Sequence, residues 1–191
     1  MRDNCEKKLV RIIKEQTWLT EVFRNVRNLQ LPDCYIAGGM VRNTIWNYLH
    51  GYPTHLNQKD IDVIYFDERD INGEREKISE KFLRTKLPNL TWEVVNQARA
   101  HLFKPGHSLI RPKVNCSCES ISYWSETPTC VGMRLKDDCN FVICAPYGLK
   151  DLFNLVVKPI PEPFRDIELY RKRIRDKRWN ETWSKLKILD C

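Results

Sequence analysis

Ile36-Ala37-Gly38-Gly39-Met40-Val41-Arg42-Asn43 is an apolar run that stops on a glycine pair and turns into a helix. Met40, Val41, Ile45, Trp46 and Leu49 then recur at helical spacing as far as Gly51-Tyr52-Pro53. After a polar loop over 54–59 comes Asp60-Ile61-Asp62-Val63-Ile64-Tyr65-Phe66, whose β-branched and aromatic content predicts a central strand. An extended piece (34–37), a glycine turn, a helix and a second strand that opens on two aspartates form the nucleus of the reading.

Outward from that nucleus, apolar positions between Glu6 and Leu29 keep helical spacing and predict one or two amphipathic helices, ended by Pro32. Downstream, Glu74 to Leu87 reads as a charged helix with Ile78, Phe82 and Leu83 inward, and Leu90 to Val95 as another strand. A short helix over 96–103 and an irregular basic loop to Cys118 come next. Two strands at 130–135 and 140–145 flank the turn Lys136-Asp137-Asp138-Cys139, and a helical turn at 148–153 precedes a last strand at 155–157. Residues 165–187 read as one basic helix, with nine Lys and Arg against four Asp and Glu.

A chain of 191 residues, 42% apolar, with seven glycines and ten prolines, is expected to form one domain over 1–191: N-terminal helices to about 30, a core over about 31–160, and the basic helix at the end. Disordered, collagenous and low-complexity classes are excluded. The charged N-terminus lacks a signal-type apolar run and no stretch has the length of a membrane span, so a cytoplasmic protein with no membrane partner is expected. Eight cysteines could form a disulfide framework, but in a reducing compartment most read as small apolar residues; no zinc-finger spacing accompanies them. The net charge of +7 suits a phosphate-bearing partner without identifying one.

Asp60 and Asp62, two apart on a strand, share a face and could hold one or two divalent ions. Acid-x-acid occurs four times in this sequence, about what its composition gives by chance, but only this pair opens an apolar strand where carboxylates need compensation. Gly38 and Gly39 would let the backbone approach a phosphate, with Arg42 and Asn43 in the following helical turn; they could equally serve the turn alone. Glu93, on the next strand, completes a carboxylate triad if the two strands are neighbours, and is otherwise an exposed edge residue. The four histidines could include a general base, but no two have metal-ligand spacing on one helix and a structural role suits them better.

The segment from Ile36 to Asn43, continuing through Trp46-Asn47-Tyr48-Leu49-His50-Gly51 to Asp60–Asp67, resembles the bacterial nucleotidyltransferase-like family of the DNA polymerase beta superfamily. Two later blocks resemble it too: Trp92-Glu93-Val94-Val95-Asn96-Gln97-Ala98-Arg99-Ala100-His101, and Ala145-Pro146-Tyr147-Gly148-Leu149-Lys150-Asp151-Leu152-Phe153 with Thr127-Pro128-Thr129 upstream. The resemblance implies an α+β fold, a mixed sheet flanked by helices. It places Gly38 and Gly39 on the phosphate turn, Asp60 and Asp62 as ligands of Mg2+ or Mn2+, and Glu93 where a third carboxylate would sit, and its second block makes His101 the best general-base candidate of the four histidines. Lys59 stands where related sequences carry Asn, and either steers a triphosphate or is loop surface. The implied activity is transfer of a nucleoside monophosphate from an NTP to an acceptor hydroxyl, with catalytic Asp60, Asp62 and Glu93. The alternative is a catalytically inactive nucleotide- or RNA-binding module, in which the 99–113 stretch, the basic helix and Trp124, Trp179 or Trp183 serve nucleic acid. Because Ile167, Tyr170 and Ile174 are spaced for packing, the basic residues of that helix are read as a solvated face, remote in sequence from the acidic site.

Overall fold

The computed structural model describes residues 2–58, 60–102 and 112–190. Helices α1 (Arg2–Lys14) and α2 (Thr17–Arg27) lead into β1 (Tyr35–Ala37), α3 (Gly39–His50), β2 (Asp60–Tyr65), α4 (Glu74–Lys86) and β3 (Thr91–Asn96). Then come α5 (Ser117–Ile121), β4 (Gly132–Leu135), β5 (Phe141–Cys144), α6 (Lys150–Phe153), β6 (Val156–Val157), α7 (Ile167–Lys177), α8 (Trp179–Thr182) and β7 (Lys187–Ile188). The expected α+β architecture is present: a mixed sheet of order β3-β2-β1-β4-β5, in which only β2 and β3 run parallel, joined through α4. Strands β6 and β7 pair separately.

Side chains alternate across a strand, and that alternation divides the protein into a core side and a site side. Ile61, Val63 and Tyr65 of β2 and Trp92 and Val94 of β3 enter one large core with Leu9, Ile12 and Ile13 of α1, Leu19, Val22, Phe23 and Val26 of α2, and Met40, Val41, Ile45 and Trp46 of α3. Each such side chain contributes roughly 1.5–3 kcal/mol by leaving water, which is why the N-terminal helices stay docked. On the opposite face Tyr35, Ala37 and Ile64 join a smaller core with Ile121 and Cys130. Asp60, Asp62 and Glu93 lie on that face, beyond its apolar cover.

Four expectations are corrected. Ile78 points outward at 68% exposure, because α4 turns other positions to the sheet. Leu83 is buried, and the Glu80 and Glu76 carboxylates accept from the backbone N–H groups of Val94 and Asn96, covering the open edge of β3. Of the short helix expected over 96–103, the described residues to 102 form no more than a 3-10 turn at Ala100–Leu102. Residues 165–187 are not one helix: Arg178 adopts a left-handed conformation (φ 47°) that ends α7, and the chain continues through α8 into β7. Among the described residues one disulfide is formed, between Cys118 of α5 and Cys144 of β5, whose Cα atoms the docking of α5 brings to 5.7 Å. No described helix is long and apolar enough to cross a membrane.

Candidate functional site

The loop that delivers β2 is pinned to α3 by buried amides. Asn47 Nδ2 donates to the Leu56 carbonyl at 2.7 Å, and Gln58 Nε2 donates to the Met40 carbonyl at 3.0 Å and to Thr44 Oγ1 at 2.9 Å. With the entry to β2 fixed, the parallel register sets Asp62 opposite Glu93 and Asp60 opposite Thr91. The antiparallel register with β1 sets Asp62 opposite Ala37, immediately before the glycine pair. Three carboxylates and the N-terminus of α3 therefore converge on one cleft of about 500 Å³.

Gly38 has φ +60°, and a Cβ there would come within 2.5 Å of the Trp124 ring, so this position requires glycine twice over. Gly39 has no such neighbour and lines the cleft at the start of α3. Asn43 lines it too and accepts from Arg42 Nε and Nη2 at 3.1 and 2.9 Å. Arg42 itself does not project freely from the first turn, as its sequence position suggests. Its guanidinium lies 4.9 Å from the Trp46 ring and 4.4 Å from the Trp179 ring, and donates to Thr129 Oγ1 at 2.8 Å. Burial lowers its pKa to about 10, Glu126 opposing and the Arg173 charge adding to the fall, so it remains a cation at neutral pH.

Asp62 shows the tension in the cleft. Burial and then the Glu93 carboxylate raise its pKa to about 6; Asp60 adds to the rise, while Arg42 and Lys177 oppose it. Crowded oxygen donors of this kind suit a hard divalent cation, whose charge would relieve the repulsion. Among the described residues no three His, Cys, Asp or Glu side chains are gathered into a formed metal cluster. The donor chemistry fits a metal, and the shared face is what unites Asp60, Asp62 and Glu93.

Residues 24–188 match a protein family described as Nucleotidyltransferase. The chain belongs to this nucleotidyltransferase family. The nucleotidyltransferase fold is similar to an NMR structure described as revealing a CCA-adding enzyme head domain, at 33% identity and a TM-score of 0.82 over 97% of this chain and 96% of that one. Two structures described as tRNA-processing enzymes share the fold at 18% identity, with TM-scores of 0.53 and 0.52. The nucleotidyltransferase chain covers only 43% and 44% of those longer proteins. Among curated proteins none matches this sequence.

Of the residues singled out from sequence, Gly39, Arg42, Asn43, Asp60, Asp62 and Glu93 all line the cleft, whereas Gly38 shapes it through Trp124. Lys59 lies outside the described residues, as do 103–111 of the basic loop. His101 lies outside the cleft lining. Trp124 lines the cleft, but Trp179 and Trp183 are 4% and 3% exposed and pack edge-on against Trp46, so neither can stack on a base. The reading of the C-terminal basic residues as a solvated face is corrected for two of them, because Arg173 and Lys177 of α7 line the cleft. A signal for them was present: both lie at i, i+4 steps from Leu169, an inward position of the same helix.

Proposed function

We propose that this protein transfers a nucleoside monophosphate from an NTP to an acceptor hydroxyl and releases pyrophosphate. The reading rests above all on the register of Asp62 with Glu93, beside Asp60, at the floor of a cleft with cationic walls. A divalent cation, Mg2+ or Mn2+, held by Asp60, Asp62 and Glu93, would neutralise charge on the reacting phosphoryl group and lower the pKa of the acceptor hydroxyl. The chain's own groups orient the substrate. Gly39 and Asn43 present the N-terminal end of α3, with its partial positive charge, to the phosphates. Lys59 joins them through its place beside Asp60, and Arg42 supplies a buried cation that stays charged.

In the transfer, the acceptor oxygen bonds to the α-phosphorus. The bond from that phosphorus to the bridging oxygen breaks, pyrophosphate leaves with the electron pair, and the hydroxyl proton passes to solvent. Because the similar NMR structure is described as a CCA-adding enzyme head domain, an RNA 3′-hydroxyl is the first acceptor to supply. The test is pyrophosphate release from Mg-ATP and Mg-CTP in the presence of bulk RNA. Asp62→Asn is expected to reduce release by about 10³-fold with the fold retained by circular dichroism. Full turnover in that variant contradicts the proposal. Nucleotide binding without pyrophosphate release by the wild type, across acceptors, favours the inactive binding module instead.

A further inference from the structure

Leu169, Arg173 and Lys177 follow one another at i, i+4 spacing and fall along nearly one line of α7. Leu169 packs inward at 7% exposure, and the same line carries Arg173 and Lys177 over the cleft. Neighbouring cations are used differently. Arg165 pairs with Glu162, Arg171 with Glu168 and Asp190, and Arg178 with Glu181, all at the surface. Lys177 has no ion-pair partner among the described residues, and of the charges that act on Asp62 it is the one supplied by α7. The helix dipole favours a cation in the last turn of α7, but it does not choose the direction in which that cation points.

Arg173 is fixed from beneath. Its Nε donates to Glu126 Oε1 at 2.5 Å and its Nη2 to Oε2 at 3.4 Å, and the Glu126 side chain is fully buried. A buried carboxylate is tolerated only when paired, and a two-point pair holds a guanidinium in one orientation. Arg173 Nη1 carries no hydrogen bond among the described residues. Glu126 thereby spends part of Arg173 and presents the rest to the cleft. Ordering this long side chain before a ligand arrives removes an entropy cost from binding.

We propose that Arg173 and Lys177 clamp the polyphosphate tail of the incoming nucleotide, with Glu126 as the positioning residue for Arg173. The inference rests on the nucleotide site proposed above and adds a subsite to it. The test is titration calorimetry of ATP, AMP and inorganic tripolyphosphate against the wild type and the variants Arg173→Met, Arg173→Lys, Lys177→Met and Glu126→Gln, with melting temperatures recorded.

Arg173→Met and Lys177→Met are each expected to weaken ATP and tripolyphosphate by about 10- to 100-fold and to leave AMP unchanged. Arg173→Lys should recover part of the loss. Glu126→Gln should weaken ATP only through Arg173, so that adding it to Arg173→Met brings no further loss. Lys177 is exposed, so its variant keeps the test decisive even if the Glu126 variant does not fold. Wild-type ATP binding that both methionine variants preserve, or an equal loss for AMP, overturns the clamp alone. Absence of wild-type binding to either ATP or tripolyphosphate overturns both the clamp and the transferase proposal.

Discussion

The floor and the wall of the cleft carry opposite charges and reach it by different routes. On the floor, Asp60, Asp62 and Glu93 sit on neighbouring strands whose register alone brings them to one face. On the wall, Arg173 and Lys177 come from a helix late in the chain that must dock before either cation faces the site. Docking depends on an aromatic cluster, in which Trp179, just after α7, packs edge-on against Trp46 and covers Arg42. Floor geometry is thus set by backbone hydrogen bonds, and wall geometry by side-chain packing. Substitutions should separate the two.

Trp179→Ala is the most disruptive substitution for the wall. Removing a 4%-exposed tryptophan from this cluster is expected to cost about 3–5 kcal/mol in urea unfolding. It should weaken ATP binding even where the remaining fold is intact, by loosening α7. Unchanged stability would mean that the C-terminal segment docks without its aromatic anchor.

The next effect belongs to the floor and depends on pH. In metal-free protein the Asp62 carboxyl is raised from 3.8 to about 6. A carboxyl raised by folding contributes most below its unfolded pKa, and that contribution is lost as pH climbs from about 4 to about 6. Asp62→Asn, which cannot ionise, should match the wild type below pH 4 and exceed it above pH 6 by on the order of 2 kcal/mol, measured in chelator. A difference that does not change with pH would mean that Asp62 is neither buried in the cleft nor crowded by Glu93 and Asp60. Adding Mg2+ above pH 6 should stabilise the wild type and not the Asn variant.

The smallest effect is a control on the wall. Arg171 belongs to the same helix as Arg173 but pairs with Glu168 and Asp190 at the surface. Arg171→Ala is expected to leave both the melting temperature and ATP affinity unchanged, as is usual for exposed ion pairs. A loss of ATP affinity equal to that of Arg173→Met would show diffuse attraction by a basic helix rather than a directed clamp.

The same contrast explains what could be read from the residues. Asp60-Ile61-Asp62 announces itself because carboxylates at the mouth of an apolar strand are expensive, and the glycine pair marks a turn into a helix that only a positive φ can make at Gly38. Both signals are local. Glu93 needed one further fact, the parallel pairing of β2 with β3. The helical spacing of α7 identified Tyr170 as inward, and Tyr170 is 1% exposed. Yet the same spacing, followed from Leu169, leads to Arg173 and Lys177, and a count of net charge hides that direction. Ile78 fails for a related reason: helical periodicity places it inward, but Glu76 and Glu80 occupy the side of α4 that serves the edge of β3. The break at Arg178 carries no glycine or proline to announce it, since an arginine adopts the left-handed turn there.

Whether floor and wall form one nucleotide site is decided most directly by a backbone NMR shift map recorded on addition of Mg-ATP and Mg-GTP. Saturable changes are expected together at 38–43, 60–64, 93–95 and 173–177, with the surface around Arg171 unaffected. Changes that include the strands but leave 173–177 silent, or that fall outside all four segments, would contradict a shared site.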